Sequence, residues 1–182
     1  VFAAFPLPPA VSAAVDAALA ALRQKHPRVR WVSVRGLHLT VHFFGDIPDE
    51  AVAPLRGLFD GDEDLRRLRI PVRLGSLGQF PPRGSPRVIW AGLEQGGEEL
   101  KGYADLFERK IAPLGWSPDP RGFTPHITLA RAGTVPLESG WDSGAAVPSL
   151  DFFVEECTLF QSILGRGGAE YVPLARIAFG KE

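Results

Sequence analysis

Apolar and polar positions repeat with a period of two over some stretches of this chain and with a helical period over others. Val1 to Leu7 is a short apolar run stopped by proline and predicts a first strand. Pro8 and Pro9 lead into an alanine-rich stretch with Val11, Val15, Leu19 and Leu22 at helical spacing, ended by Pro27. Val29 to Val34 alternates Val and Trp with Arg and Ser, and Arg35-Gly36 turns the chain into a strand from His38, so these two strands are expected to pair antiparallel. A second helix is expected after Gly45, capped by Asp46 or Asp49 with Pro48 near its start. The charged run DGDEDLRRL then reads as a solvated connection.

Ile70 to Leu77 and Arg87 to Leu93 read as strands, separated by a Pro/Gly-rich loop in which Phe80 stands near Arg83. Gly97 to Leu114 sets Leu100, Tyr103, Leu106, Phe107 and Ile111 on one helical face, the strongest amphipathic pattern in the chain. Another strand is expected from Phe123 to about Arg131, followed by a loop over 132 to 148 with room for a short helix. Leu150 to Gln161 and Ala169 to Phe179 suggest a closing hairpin. Helices interleaved with strand pairs predict an α+β fold of mainly antiparallel sheet.

Two of these strands carry the same polar pattern. HLTVHFFG begins at His38 and HITLAR at His126, and in each a threonine follows the histidine by two residues. On a strand His38 and Thr40 share a face, as do His126 and Thr128, while Leu39, Val41, Ile127 and Leu129 point the other way. On a helix the same spacing would separate the polar pair. The copies lie about half the chain apart, and each half holds an amphipathic helix and several strands. That predicts one bilobal domain over residues 1–182, with two similar pseudo-twofold lobes, helices outside and a central cleft to which each lobe contributes a motif.

Composition narrows the chemistry. Net charge is −1, so bulk attraction to nucleic acid is weak and anion recognition has to be local. Only Lys25, Lys101, Lys110 and Lys181 of the 20 basic residues are lysine, leaving an arginine-rich set suited to phosphate, although simple compositional bias is the preferred account of the skew. Cys157 is the one cysteine and lies in an alternating run, where it reads as a strand residue without a disulfide partner. No run reaches the length of a membrane span, no zinc-type Cys/His spacing occurs, and no glycine-rich phosphate loop is followed by Lys-Ser/Thr. The chain is expected to need no metal or cofactor and to act as a cytoplasmic monomer.

Two imidazoles and two hydroxyls meeting in a cleft suit in-line displacement at phosphorus. One histidine takes a proton from the attacking oxygen, the other gives one to the leaving oxygen, and the threonines donate to the non-bridging oxygens. The remaining histidines read differently: His26 as a helix-end residue before Pro27, and His42 as a same-face extension of the motif toward its solvated rim.

The two motifs, with VFAAFPL, RWV and FTPHITLAR, resemble the two-histidine phosphoesterases, and among them the RNA 2′,3′-cyclic phosphodiesterases formerly called 2′-5′ RNA ligases. The resemblance covers essentially the whole chain, with HLTV standing where HLTL is commoner. It implies a two-lobed α+β fold and metal-independent hydrolysis of a 2′,3′-cyclic phosphate, on an RNA end or a small cyclic nucleotide, to a 2′-phosphate. Reverse 2′-5′ ligation is also associated with the family. Carried over by position, His38 and His126 are catalytic, with His126 as base and His38 as acid by analogy, and Thr40 and Thr128 contact substrate. Arg131 matches an arginine linked to phosphate or nucleotide binding, although strand parity sets it opposite His126 unless a bulge intervenes. Of the stacking candidates Phe5, Phe44, Phe80 and Phe123, Phe80 is retained and the others are assigned to core packing. A non-catalytic RNA-end binder and a phosphoesterase for another small cyclic phosphate are the competing readings.

Overall fold

The computed structural model describes residues 1–66, 69–120, 122–132, 147–165 and 168–180. Its strands are β1 (Phe2–Pro6), β2 (Arg30–Trp31), β3 (His38–Phe43), β4 (Ile70–Phe80), β5 (Val88–Gln95), β6 (Ile127–Arg131), β7 (Leu150–Val154), β8 (Glu156–Gly165) and β9 (Gly168–Ala178). The helices are α1 (Pro9–Ala18), α2 (Ala20–Lys25), α3 (Asp49–Gly61) and α4 (Gly97–Ile111). All nine strands join one antiparallel sheet in the order β7-β4-β5-β6-β3-β1-β8-β9, with β2 on β6.

The expected α+β architecture is present, with a four-stranded half on either side of the β3–β6 boundary. The motif strands are hydrogen-bonded neighbours at that boundary, so the groove lies over their shared face instead of separating them. The core forms where α4 buries Leu100, Tyr103, Ala104, Phe107 and Ile111, one residue per turn or adjacent on the same stripe, against Phe5, Leu39, Ile127 and Leu129 of the central strands. Leu55 and Phe59 of α3 and Val11, Val15 and Leu22 of α1 and α2 complete it. Gly96 starts α4 in the left-handed region, φ +87°, where a Cβ would lie 2.4 Å from the Pro71 carbonyl oxygen.

Several local expectations are corrected. The stretch after Val29 does not form a hairpin with the His38 strand: only Arg30–Trp31 is extended, it pairs with β6, and a 3₁₀ turn at Val34–Gly36 leads into β3. The first helix breaks at Leu19. No side chain caps α3, whose N-cap is Pro48. Leu65 in the charged connection is fully buried, so a short 3₁₀ turn there plugs the core. The first arm of the expected closing hairpin is two strands: β7 joins β4, and after Glu155 the chain resumes as β8 beside β1 on the other side of the sheet. The short helix expected within 132 to 148 falls mostly outside the described residues.

Candidate active site

β3 and β6 are antiparallel with Leu39 opposite Ile127. Continuing that register one residue either way sets His38 beside Thr128 and Thr40 beside His126, so each histidine stands next to the other copy's threonine. The histidines occupy diagonal positions, which in an antiparallel pair lie roughly 7–8 Å apart. That separation lets two ring nitrogens reach opposite sides of one phosphorus centre.

The rings are held alike. His38 Nδ1 lies 2.7 Å from the Gly36 carbonyl oxygen, and His126 Nδ1 lies 2.8 Å from that of Thr124. A carbonyl can only accept, so each Nδ1 carries a hydrogen and donates it, leaving Nε2 as the working nitrogen of both imidazoles. Each ring also meets an aromatic edge. Tyr171 stands at 88° to His38 with centroids 5.2 Å apart, and Phe80 at 85° to His126 with centroids 5.4 Å apart. Phe2 and Trp90 flank the two rings further. Room for Trp90 comes from Gly78, since a Cβ there would fall 2.2 Å from the indole.

A bulge follows each motif. Between the pairs Ala3–His42 and Ala4–Thr40, β3 carries Val41 as an extra residue; between Ile89–Ala130 and Trp90–Thr128, β6 carries Leu129 as one. Parity reverses beyond both. His38–Phe43 and His126–Arg131 consequently share one burial sequence: half-buried, buried, half-buried, buried, buried, exposed. The reversal turns Arg131 onto the face of Thr128, supplying the bulge that a role in the cleft requires.

The same device turns His42 off the face of His38 and Thr40 and into the wall of the larger groove. It is not a rim residue but 7% exposed on the core side, ring against Phe44, with Nδ1 3.9 Å from Glu108 Oε1. Burial pushes its pKa below the ordinary value, against the Glu108 and Asp119 carboxylates, which raise it. Phe43, which the sequence reading passed over, takes the place on the groove face equivalent to Arg131 and is 70% exposed. Its signal was available only as an apolar residue five places after the histidine, meaningless until the bulge is known. Phe5 and Phe44 are core residues; Phe80 and Phe123 line the groove.

A cavity of about 110 Å³ is bounded by His38, Thr40, Thr128, Arg131, Phe43, Tyr171 and the Val32–Gly36 turn. It opens beside a groove of about 930 Å³ lined by His126, Phe80, Phe43, Phe123 and Trp116, with His42, Glu108 and Asp119 also on its walls. The first is of phosphate size and rich in donors; the second is long, aromatic and able to take a nucleoside. Burial, with the positive charges of Arg131 and His126, pushes the His38 pKa down to about 4, partly offset by the Gly36 carbonyl. Cys157 is buried, and desolvation raises its thiol to about 12, so it offers no thiolate. Among the described residues no group of three His, Cys, Asp or Glu side chains could hold a metal ion, and no helix is long and apolar enough to cross a membrane.

The sequence pattern that defines the 2'-5' RNA ligase superfamily matches residues 7–162. The chain belongs to that superfamily. Its relatives include the RNA 2',3'-cyclic phosphodiesterase of Escherichia coli, 32% identical over 82% of this chain and 79% of that protein. That of Aeropyrum pernix is 33% identical over 57% of each chain, so the match spans little more than half its length. The crystal structure of E. coli LigT complexed with 3'-AMP aligns with a TM-score of 0.72 and 30% identity, covering 98% of this chain and 96% of that one. Superfamily membership accords with the α+β sheet and with the paired His-x-Thr strands at its centre.

Proposed function

We infer that this protein hydrolyses 2′,3′-cyclic phosphate ends of RNA to 2′-phosphates, with His38 and His126 as an acid/base pair and no metal. The observation that carries this is the matched setting of the two histidines, on adjacent strands and each presenting Nε2 with Nδ1 tied to a main-chain carbonyl. Water attacks phosphorus while one Nε2 takes its proton; the bond from phosphorus to O3′ breaks, and the other Nε2 protonates O3′. Thr40 and Thr128 donate to the non-bridging oxygens, and Arg131 balances the charge that grows there. Phe43 and Phe80 offer stacking surfaces for the terminal base. With a ribose 5′-hydroxyl in place of water as nucleophile, the same steps join a 2′-5′ linkage.

Above pH of about 4 His38 is neutral in the unliganded protein, the form of a proton acceptor. The family resemblance implies the reverse, with His126 as base. A phosphate bound between the rings opposes the Arg131 charge and raises His38 toward the donor form, so the order is decided in the complex.

Product analysis of a short RNA ending in a 2′,3′-cyclic phosphate, with chelator present, tests the reading. A 2′-phosphate product is expected. Binding without turnover would leave an RNA-end binding protein, and turnover confined to another small cyclic phosphate would move the substrate class.

A further inference from the structure

Phosphate donors and aromatic faces account for most of the larger groove, but not for the wall where His42, Glu108 and Asp119 meet. Carboxylates repel a phosphoester, so this wall serves another part of a nucleotide. Glu108 of α4 is half-buried; its Oε1 accepts the Asp119 main-chain N–H at 3.2 Å, and its Oε2 has no partner among the described residues. His42 is 7% exposed and its Nδ1 makes no hydrogen bond, the 3.9 Å to Glu108 Oε1 being too long for one. Burial holds the His42 pKa low, so at neutral pH the ring brings no charge to offset the carboxylate. A buried nitrogen and a carboxylate left open side by side call for a hydrogen-bond donor from outside the fold.

The wall also lies at a suitable distance from the chemistry. Thr40 and His42 are two residues apart on β3, roughly 7 Å along the strand, and Glu108 stands beside His42. With phosphorus at Thr40 between the histidines, a ribose and its base cover that span. Phe43 and Phe80 meet the faces of the base, which leaves its edge toward Glu108. Guanine alone among the four RNA bases sets two donors, N1–H and N2–H, side by side on that edge. Adenine and cytosine set a ring acceptor next to their amine, and uracil flanks its one N–H with carbonyl oxygens.

We propose that Glu108, with His42 beside it, forms a base-reading subsite that selects guanine at the reacting end of the RNA. This rests on the reading under Proposed function and adds which terminal nucleotide is preferred. The Glu108 carboxylate accepts N1–H and N2–H as a pair of charge-assisted bonds, and the second hydrogen of the N2 amine is the donor that His42 Nδ1 lacks.

The test measures kcat/KM on 2′,3′-cyclic GMP and 2′,3′-cyclic AMP, two purines that stack alike, for the wild-type protein and for Glu108→Gln. The wild type should favour the guanine substrate at least about tenfold. In the variant the amide keeps an acceptor for the Asp119 N–H, so the thermal midpoint should hold, but it presents one donor beside one acceptor, the complement of adenine. The guanine substrate should therefore lose at least about tenfold while the adenine substrate gains, reversing the preference. A wild type without base preference, a ratio unchanged by the substitution, or equal loss on both substrates overturns the subsite. If the wild type hydrolyses neither substrate, the catalytic reading fails instead. Calorimetric binding of 2′-GMP against 2′-AMP then judges the base site alone, since the guanine preference and its reversal in Glu108→Gln must still appear, and their absence overturns it.

Discussion

Leu39 and Ile127 face each other as the one backbone pair between β3 and β6, and the two copies of the motif are disposed about it. Because both side chains are fully buried while their neighbours His38, Thr40, His126 and Thr128 are half-buried, that rung fixes the site from beneath. Replacing Ile127 by Ala is expected to destabilise the fold by about 2–5 kcal/mol, read as a shift in urea midpoint, with a loss of turnover even where the protein is fully folded.

Alanine at His38 or at His126 should each reduce kcat by about 100-fold or more with little change in thermal midpoint, because neither ring is in the core. Losses below tenfold in both variants would remove the acid/base assignment.

Their order can be separated chemically. In a cyclic substrate with sulfur at the bridging 3′ position the leaving group departs without protonation, so replacing the acid costs little on that substrate while replacing the base costs the same as before. If His38→Ala is the rescued variant, His38 is the acid as the family resemblance implies. If His126→Ala is, the lowered His38 pKa already describes the working state.

Stability should respond to pH through the same histidine. His38 falls from about 6.5 unfolded to about 4 folded, so between those values the unfolded chain binds more protons and stability must decrease as pH falls. His42 is displaced in the same direction and adds to the trend. The urea midpoint should therefore be flat above about pH 7 and decline toward pH 4, with a shallower decline in His38→Ala. A decline of unchanged steepness in that variant would exclude His38 as a source.

Phe43 is 70% exposed, so Phe43→Ala should leave stability within about 0.5 kcal/mol. Stacking on one base is worth about 1–3 kcal/mol, which corresponds to a rise in KM of roughly fivefold to a hundredfold, and Phe43→Tyr should restore it. An unchanged KM would take the base elsewhere.

Much of this was written in local pattern. The His-x-Thr pairs, the α4 stripe and the antiparallel α+β class follow from periodicity alone, because burial on one face imposes it. What local pattern lacked was register. Val41 and Leu129 look like ordinary strand residues, yet each is the extra member of a bulge, and that single insertion moved His42 inward and Phe43 and Arg131 outward. Pairing partners were equally hidden: Arg30–Trp31 neighbours β6 because of where the chain returns, not because of any turn signal nearby. Residues such as Tyr171 and Phe2 touch His38 only through strand order and carry no mark in sequence.

The main-chain tethers on the two imidazoles also constrain what happens after the chemistry. Each turnover of the proposed reaction leaves the proton on the wrong ring, and with both Nδ1 atoms engaged by the Gly36 and Thr124 carbonyls the exchange back has only the groove-side nitrogens to use. Those nitrogens are covered while product stays in place. The enzyme must therefore empty before it can recharge, so solvent entry, and not bond breaking alone, belongs to the catalytic cycle.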